Sequence, residues 1–286
     1  MPSRVRPTGF RWGTSSFSEK SWVGPFYPPG TPPGDFLRYY STQFDTVEVD
    51  ATYYAIPEAR MVEGWERKLP EGFLLAAKFP RSVVHAGEGA KPDPARVLVP
   101  EKVGDEVQLF LERMSLLGPK CGPLVLQFPY FSRDVFPDAR AFLERLERLL
   151  EDLPDGFRYG VEVRNKHWID RDLLDLLRRR RTALVWVDLA YMPHPVDLAR
   201  RNDVLTADFA YGRLIGDRKL VDSRTKTFDR IVVDQTQRLA RWADFLVGMH
   251  ERVPETYVYA NNHYAGHGPA TIRALQGLVE ARLRRP

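Results

Sequence analysis

The feature that most constrains this chain is an exchange of short apolar runs with longer amphipathic stretches, repeated along its length. Strand candidates fall at 10–15, 46–50, 73–79, 124–128, 158–164, 183–188, 210–215 and 256–261. Helical patterns lie at 35–43, 59–68, 101–117, 139–151, 171–180, 235–251 and 269–282. Strict alternation of strand and helix argues for parallel strands joined by right-handed crossovers. Eight such units predict an α/β chain closed as a single (β/α)8 TIM-type barrel, with a doubly wound open sheet as the alternative. The sixth unit is irregular, because 191–202 holds two prolines and only a short helical segment. Local signals mark helix starts at Pro137-Asp138, at Asp170 with Asp172, and at Gly268-Pro269. The longest irregular stretches are 22–34, 85–100 and 214–233, all near strand carboxyl ends, where a barrel builds its site.

At 286 residues, with no break in composition, one domain spanning 1–286 is expected. Charged residues make up 28% and no apolar run approaches the length of a membrane span, which excludes a disordered tail-like chain and a membrane helix. The N-terminal Met-Pro-Ser-Arg-Val-Arg-Pro has no apolar stretch after its arginines and does not read as a secretory signal. A lone cysteine, Cys121, fits a reducing compartment, so the expected location is cytoplasmic; the thiol is read as a small buried group. The net charge of +4 is concentrated at Arg178–Arg181 and at Arg282, Arg284 and Arg285, both read as solvated helix ends. Nucleic acid therefore stays a secondary alternative as a partner, and no membrane is expected.

The stretch 159–168, Tyr-Gly-Val-Glu-Val-Arg-Asn-Lys-His-Trp, puts Glu162 and Arg164 on one strand face and Val161 and Val163 on the other. Interior strands of such folds are apolar on both faces, so two ionised groups there point to a site or to a buried ion pair. Their separation along the strand predicts that they are not each other's best partner, with Glu162 meeting cations of adjacent strands. Other strands repeat the pattern. Glu48 and Asp50 share a face of the second, Lys78 ends the third, Gln127 the fourth, Asp188 the sixth beside Trp186, Arg213 lies in the seventh beside Tyr211, and Asn261-Asn262-His263 follows the eighth. Each has a plainer reading. Glu48 with Lys78, or Glu162 with Arg213, makes a neighbouring-strand ion pair, and Asp188 or Asn262 caps a loop. His263 and His267 are four apart, but the glycines and proline after them disfavour a regular metal-binding helix, and there is no His-Glu-x-x-His, paired-cysteine or phosphate-loop motif. No metal and no cofactor are assigned.

Several motifs stand in order: Gly13-Thr14-Ser15 with Trp22, Gly24, Phe26, Tyr27 and Pro28; Val47-Glu48-Val49-Asp50-Ala51-Thr52-Tyr53-Tyr54; Lys78-Phe79-Pro80-Arg81; Gln127-Phe128-Pro129; Glu162-Val163-Arg164 with Trp168; and Tyr259-Ala260-Asn261-Asn262 with Gly266 and Ala270. On these the chain resembles the domain of unknown function 72 family, also called YecE-like, over almost its whole length. The resemblance implies a (β/α)8 barrel and no established reaction. Two departures stand out: Ser16-Phe17 where the family often has Gly-Trp, and Ile215-Gly216 after Arg213-Leu214 where it often has a histidine and glycine. Acid–base work by that histidine would pass to Asp217 or His263.

Three functions compete. The first is a metal-independent enzyme, a hydrolase or isomerase, acting on a small anionic or polyhydroxylated ligand such as a sugar phosphate or glycoside. Its catalytic residues are Glu48, Glu162 and Asp188, and its ligand-binding residues are Lys78, Gln127, Arg164, Trp168, Arg213, Asn261, Asn262, Tyr27 and Tyr54. Trp22 and Tyr27 are expected to form an aromatic wall over the barrel mouth. The second is a metal-assisted hydrolase, isomerase or phosphodiesterase, which the interleaved cations disfavour. The third is a non-catalytic module that binds a ligand or partner.

Overall fold

The computed structural model describes residues 9–87 and 91–284. The N-terminal stretch read for a signal, Arg285, and part of the expected 85–100 loop lie outside the described residues. Eight strands form one sheet: β1 (Phe10–Thr14), β2 (Thr46–Val49), β3 (Leu74–Lys78), β4 (Cys121–Gln127), β5 (Tyr159–Glu162), β6 (Ala183–Leu189), β7 (Phe209–Gly216) and β8 (Glu255–Ala260). Their order is β1-β8-β7-β6-β5-β4-β3-β2. From β2 to β8 each strand lies beside its neighbour in sequence and the first pairs with the last, whereas a doubly wound sheet would reverse at a switch point. The fold is the (β/α)8 TIM type. Among the described residues no helix is long and apolar enough to cross a membrane.

The chain falls into two compact units. One runs up to Val47 and resumes at Trp186–Arg201 and from Asp208 onward; the other comprises Glu48–Val185 and Asn202–Ala207. In the first, β8 is bonded in parallel to β1, Phe10 opposite Thr256 and Thr14 opposite Ala260, and to β7, Phe209 opposite Glu255 and Leu214 opposite Ala260. Only glycine fits at Gly13, because a Cβ there would lie 2.2 Å from the Thr46 carbonyl oxygen. The loop after β1 folds into an aromatic cluster. Tyr27 stacks on Phe36 at 4.3 Å, Phe26 meets it edge-on at 4.8 Å, and Trp22 packs against Phe26. The expectation that Trp22 and Tyr27 wall a ligand is therefore corrected. Tyr27 has no exposed surface, and its hydroxyl donates to the Phe17 carbonyl; burying these rings is worth more to the fold than presenting them.

In the second unit β3, β4 and β5 are parallel, with Lys78 opposite Val125 and Gln127 opposite Glu162. The helices covering it follow simple rules. Ala139–Asp152 buries Phe142, Leu146, Leu149 and Leu150, one face of a 3.6-residue period, and Asp138 accepts from the Ala141 amide at 2.9 Å. Arg171–Arg179 buries Leu173, Leu174, Leu176 and Leu177, and Asp170 accepts from the Leu173 amide. Each such leucine contributes about 1.5–3 kcal/mol and each cap about 1 kcal/mol. The irregular sixth unit carries only the short helix Pro195–Ala199, as its prolines foretell.

Candidate functional site

Within the second unit the expected residues end their strands. Lys78, Gln127 and Glu162 are the last residues of β3, β4 and β5, and Glu48 is the last but one of β2. Glu48 and Glu162 have no exposed surface, Lys78 has 5% and Gln127 8%. The Lys78 ammonium pairs with Asp50 and stands 3.5 Å from Glu48 Oε1, so its charge is committed to two carboxylates. Thr52, in the four-residue helix Ala51–Tyr54, accepts from the Lys78 amide at 3.0 Å and ties that helix to the end of β3.

At the end of β5 one expectation is overturned. Arg164 Nε donates to Glu162 Oε1 at 2.9 Å, so the two are direct partners. The strand stops at Glu162 and Arg164 is no longer held on the pleat, which frees its side chain to fold back. Tyr53 stands nearby. Burial raises its phenol's pKa, Arg164 and Arg81 pull it down, and Tyr54 and Glu162 push it up, which places both cations within electrostatic reach of that hydroxyl. Tyr54 is 80% exposed. Trp168 stacks on Phe142 at 5.1 Å and on Phe131 at 6.2 Å, so most of its ring serves packing.

In the first unit Arg213 is buried in β7. Its neighbour Gly212 would place a Cβ 3.2 Å from the Trp242 ring, on the helix side, which turns Arg213 to the opposite, inner face. Asp188 behaves differently. Its Oδ2 accepts from Trp242 Nε1 and from the Tyr264 hydroxyl, each at 2.8 Å, and its carboxylate pairs with Arg238 through both Nε and Nη2. Trp186 meets Phe245 edge-on at 4.7 Å. Both Trp186 and Asp188 thus face the helix Thr236–Met249, not the inner face assigned from the parity of the fifth strand. Alternation fixes which residues oppose each other but not which set turns inward, and the Trp242 indole and Phe245 ring on one helix draw this set outward. His194 Nδ1 accepts from the Val196 amide, so the ring's proton sits on Nε2, 3.7 Å from Asp188. Burial lowers its pKa to about 4 against the pull of Asp188, and burial lowers His267 likewise to about 4.

Beyond β8, Asn261 caps the turn Asn262–Ala265 by accepting from the His263 amide, and Asn262 Oδ1 accepts from Trp22 Nε1 and the Gly268 amide. Both carboxamides shape the loop. Asp217 caps the helix Arg218–Arg224, while His263 Nε2 lies 3.2 Å from Asp222. Among the described residues no three His, Cys, Asp or Glu side chains gather as a metal site. Burial pushes the Cys121 thiol up to about 12, the setting of an inert group. Sequence reasoning missed Tyr53, Arg81 and Arg238 as site groups. The first two stood inside quoted motifs, but nothing in the periodicity marked them.

Fold and side chains together define a TIM-type barrel with charged residues at the ends of several strands. The family described as "Protein of unknown function DUF72" matches residues 11–286, and the chain belongs to that family. It is 33% identical over 131 residues to the UPF0759 protein YecE of Escherichia coli K12, a match that covers 45% of this chain and 41% of that protein. The match thus spans less than half the length of that curated relative. A DUF72 family protein from Thermotoga maritima is similar over 97% of this chain and all of its own, with TM-score 0.68 and 28% identity. The D-allulose 3-epimerase of Methylomonas sp. shares the fold, with TM-score 0.51 and 12% identity over both full lengths.

Proposed function

We propose that this protein binds and transforms a small anionic or polyhydroxylated ligand, a sugar phosphate or glycoside, by carboxylate acid–base chemistry at the carboxyl ends of the barrel strands. The observation that carries this reading is the burial of Glu48, Lys78 and Glu162 at strand ends where the core otherwise excludes charge. Glu162, steadied by Arg164, and Glu48, steadied by Lys78, are the acid and base. One carboxyl gives a proton to a leaving oxygen while the other takes one from the attacking hydroxyl or water. Carboxyls about 5 Å apart would retain anomeric configuration and those about 6.5–9.5 Å apart would invert it. Gln127, opposite Glu162 in register, orients a hydroxyl, and Tyr54 offers a ring for stacking. Asp188 is assigned an anchoring role in place of acid–base work, because its lone pairs are already taken. The same reading sets the protein in the cytoplasm, where a lone Cys121 stays reduced.

Thermal unfolding of the whole chain against sugar phosphates, glycosides and free sugars tests it. A true ligand at 100 times its Kd adds about 2.7 kcal/mol. Turnover of that ligand is then followed by proton NMR. A panel that leaves the melting temperature unmoved throughout defeats the reading.

A further inference from the structure

We propose that a groove along the helix Pro100–Ser115 is a docking site for a basic amphipathic helix of a partner protein. The groove lies wholly in the second unit and has a volume of about 510 Å³. It runs between that helix and the segment from Leu149 to Phe157, where the helix Ala139–Asp152 ends. Its helical wall is Pro100, Gly104, Val107, Leu111 and Ser115, steps of three and four residues that keep to one face of the helix. Leu149, Leu153 and Phe157 stand opposite, so the floor is apolar from both sides. At about 1.5 Å per residue the stripe is about 22 Å long, room for a partner helix of about four turns.

Two residues of this groove are placed at a cost that packing within the unit does not require. Gly104 lies in a helix interior, where glycine is less favourable than alanine, yet an added Cβ there would meet nothing within 4 Å. Its missing side chain leaves a notch in the wall that lets a partner come close. Asp152 ends the helix Ala139–Asp152, whose last turn holds no basic residue, so its carboxylate opposes the negative end of the helix dipole. Among the described residues that carboxylate makes no ion pair and no hydrogen bond. On the facing wall Glu112 is 63% exposed and pairs with its neighbour Arg113, which does not line the groove. Among the described residues no lysine, arginine or histidine lines it, so an acid stands on each lip above the apolar floor. The complementary occupant turns apolar side chains at i, i+4 and i+7 to the floor and carries lysine or arginine on both flanks of that stripe. A second copy of this chain is the poorer fit. Its own helix Pro100–Ser115 exposes Glu101, Asp105 and Glu112 and would lay acid against acid. A small molecule would leave most of the stripe uncovered.

Fluorescence anisotropy with two labelled peptides of about 16 residues on the full chain tests the site. One peptide sets leucine and lysine in an amphipathic helical pattern, and the other has glutamate at every lysine. The proteins are the wild type, Gly104→Leu, Asp152→Lys and, as a charge control away from the groove, Glu71→Lys. The leucine–lysine peptide should bind the wild type, and the leucine–glutamate peptide at least about tenfold more weakly. Gly104→Leu, which fills the notch, and Asp152→Lys, which reverses one lip, should each weaken the first peptide at least about tenfold, while Glu71→Lys changes it by less than about twofold. Melting curves separate this from damage to the fold. Both groove variants replace a residue that its helix disfavours, so each should melt at or above the wild-type temperature. Should Gly104→Leu unfold, Asp152→Lys carries the test, because its side chain has no partner to lose. Equal binding of the two peptides, or binding weakened as much by Glu71→Lys as by Asp152→Lys, is general attraction of charge and overturns the site. No binding of the leucine–lysine peptide overturns it too. Self-association of the wild type that Gly104→Leu abolishes would give the groove to a second copy and overturn it equally.

Discussion

Two buried carboxylates near the ends of adjacent strands, Asp188 on β6 and Glu162 on β5, have opposite surroundings. Asp188 accepts from an indole, a phenol and a guanidinium, all fixed by the helix and turn packed on it. Glu162 meets Arg164, whose side chain stays partly in solvent, in a neighbourhood where Arg81 and Tyr53 still have donors to give. The difference is in how the partners are held: Trp242 and Tyr264 on Asp188 are packed into the fold, while the Arg164 side chain is partly exposed. A saturated buried carboxylate works as a structural hub.

The largest expected effect falls on the hub. Asp188→Asn leaves Arg238 without its charge partner and should cost about 3–5 kcal/mol, read by urea unfolding. At this chain length that is a fall of roughly 6–20 °C in melting temperature. A loss no greater than that of a surface substitution would erase the contrast between the two carboxylates.

Acid should act next, and through the first unit. His194 and His267 have folded pKa values near 4, below the ordinary 6.5, so between those values the unfolded chain binds the more protons. Stability is therefore full above pH about 6.5 and falls as the pH drops toward about 4, by up to about 1.4 kcal/mol per pH unit for each histidine. Urea unfolding at pH 7, 6 and 5 gives the slope, and His194→Gln should flatten it. A pH-independent midpoint would mean the rings are not held neutral.

A smaller change is expected at the other carboxylate. Glu162→Gln keeps an acceptor for Arg164 Nε and trades a charge-assisted bond for a neutral one, about 1 kcal/mol. The smallest belongs to Tyr54→Ala, which should leave stability within about 0.5 kcal/mol because the ring is 80% exposed. Its effect should instead appear in the affinity for a sugar ring.

Much of the fold was legible because strand and helix periods differ and caps announce helix starts. Asp138 and Asp170 show how a single carboxylate marks such a boundary, whereas the helix that Asp217 caps lies inside the stretch 214–233 expected to be irregular. What stayed illegible was short or relational. The turns Ala51–Tyr54, Arg81–Val84 and Asn262–Ala265 are too brief to show a period, yet they carry Tyr53, Arg81 and His263. The inward parity of β6 depended on Trp242 and Phe245, far along the chain, and could not be copied from β5. The pairing of Arg164 with Glu162 depended on the strand ending two residues earlier than its pattern of valines suggests. The polar ends of strands were visible; which of them were already satisfied was not.

The most direct test of the central contrast is the affinity of Glu162→Gln, beside the wild type, for the tightest-binding sugar phosphate or glycoside, with unfolding free energy measured on the same samples. The account predicts binding or turnover weakened by at least about tenfold, one lost charge-assisted contact, with stability within about 1 kcal/mol of wild type. Undiminished binding together with a loss of about 3–5 kcal/mol would show that Glu162, like Asp188, is there to hold the barrel together.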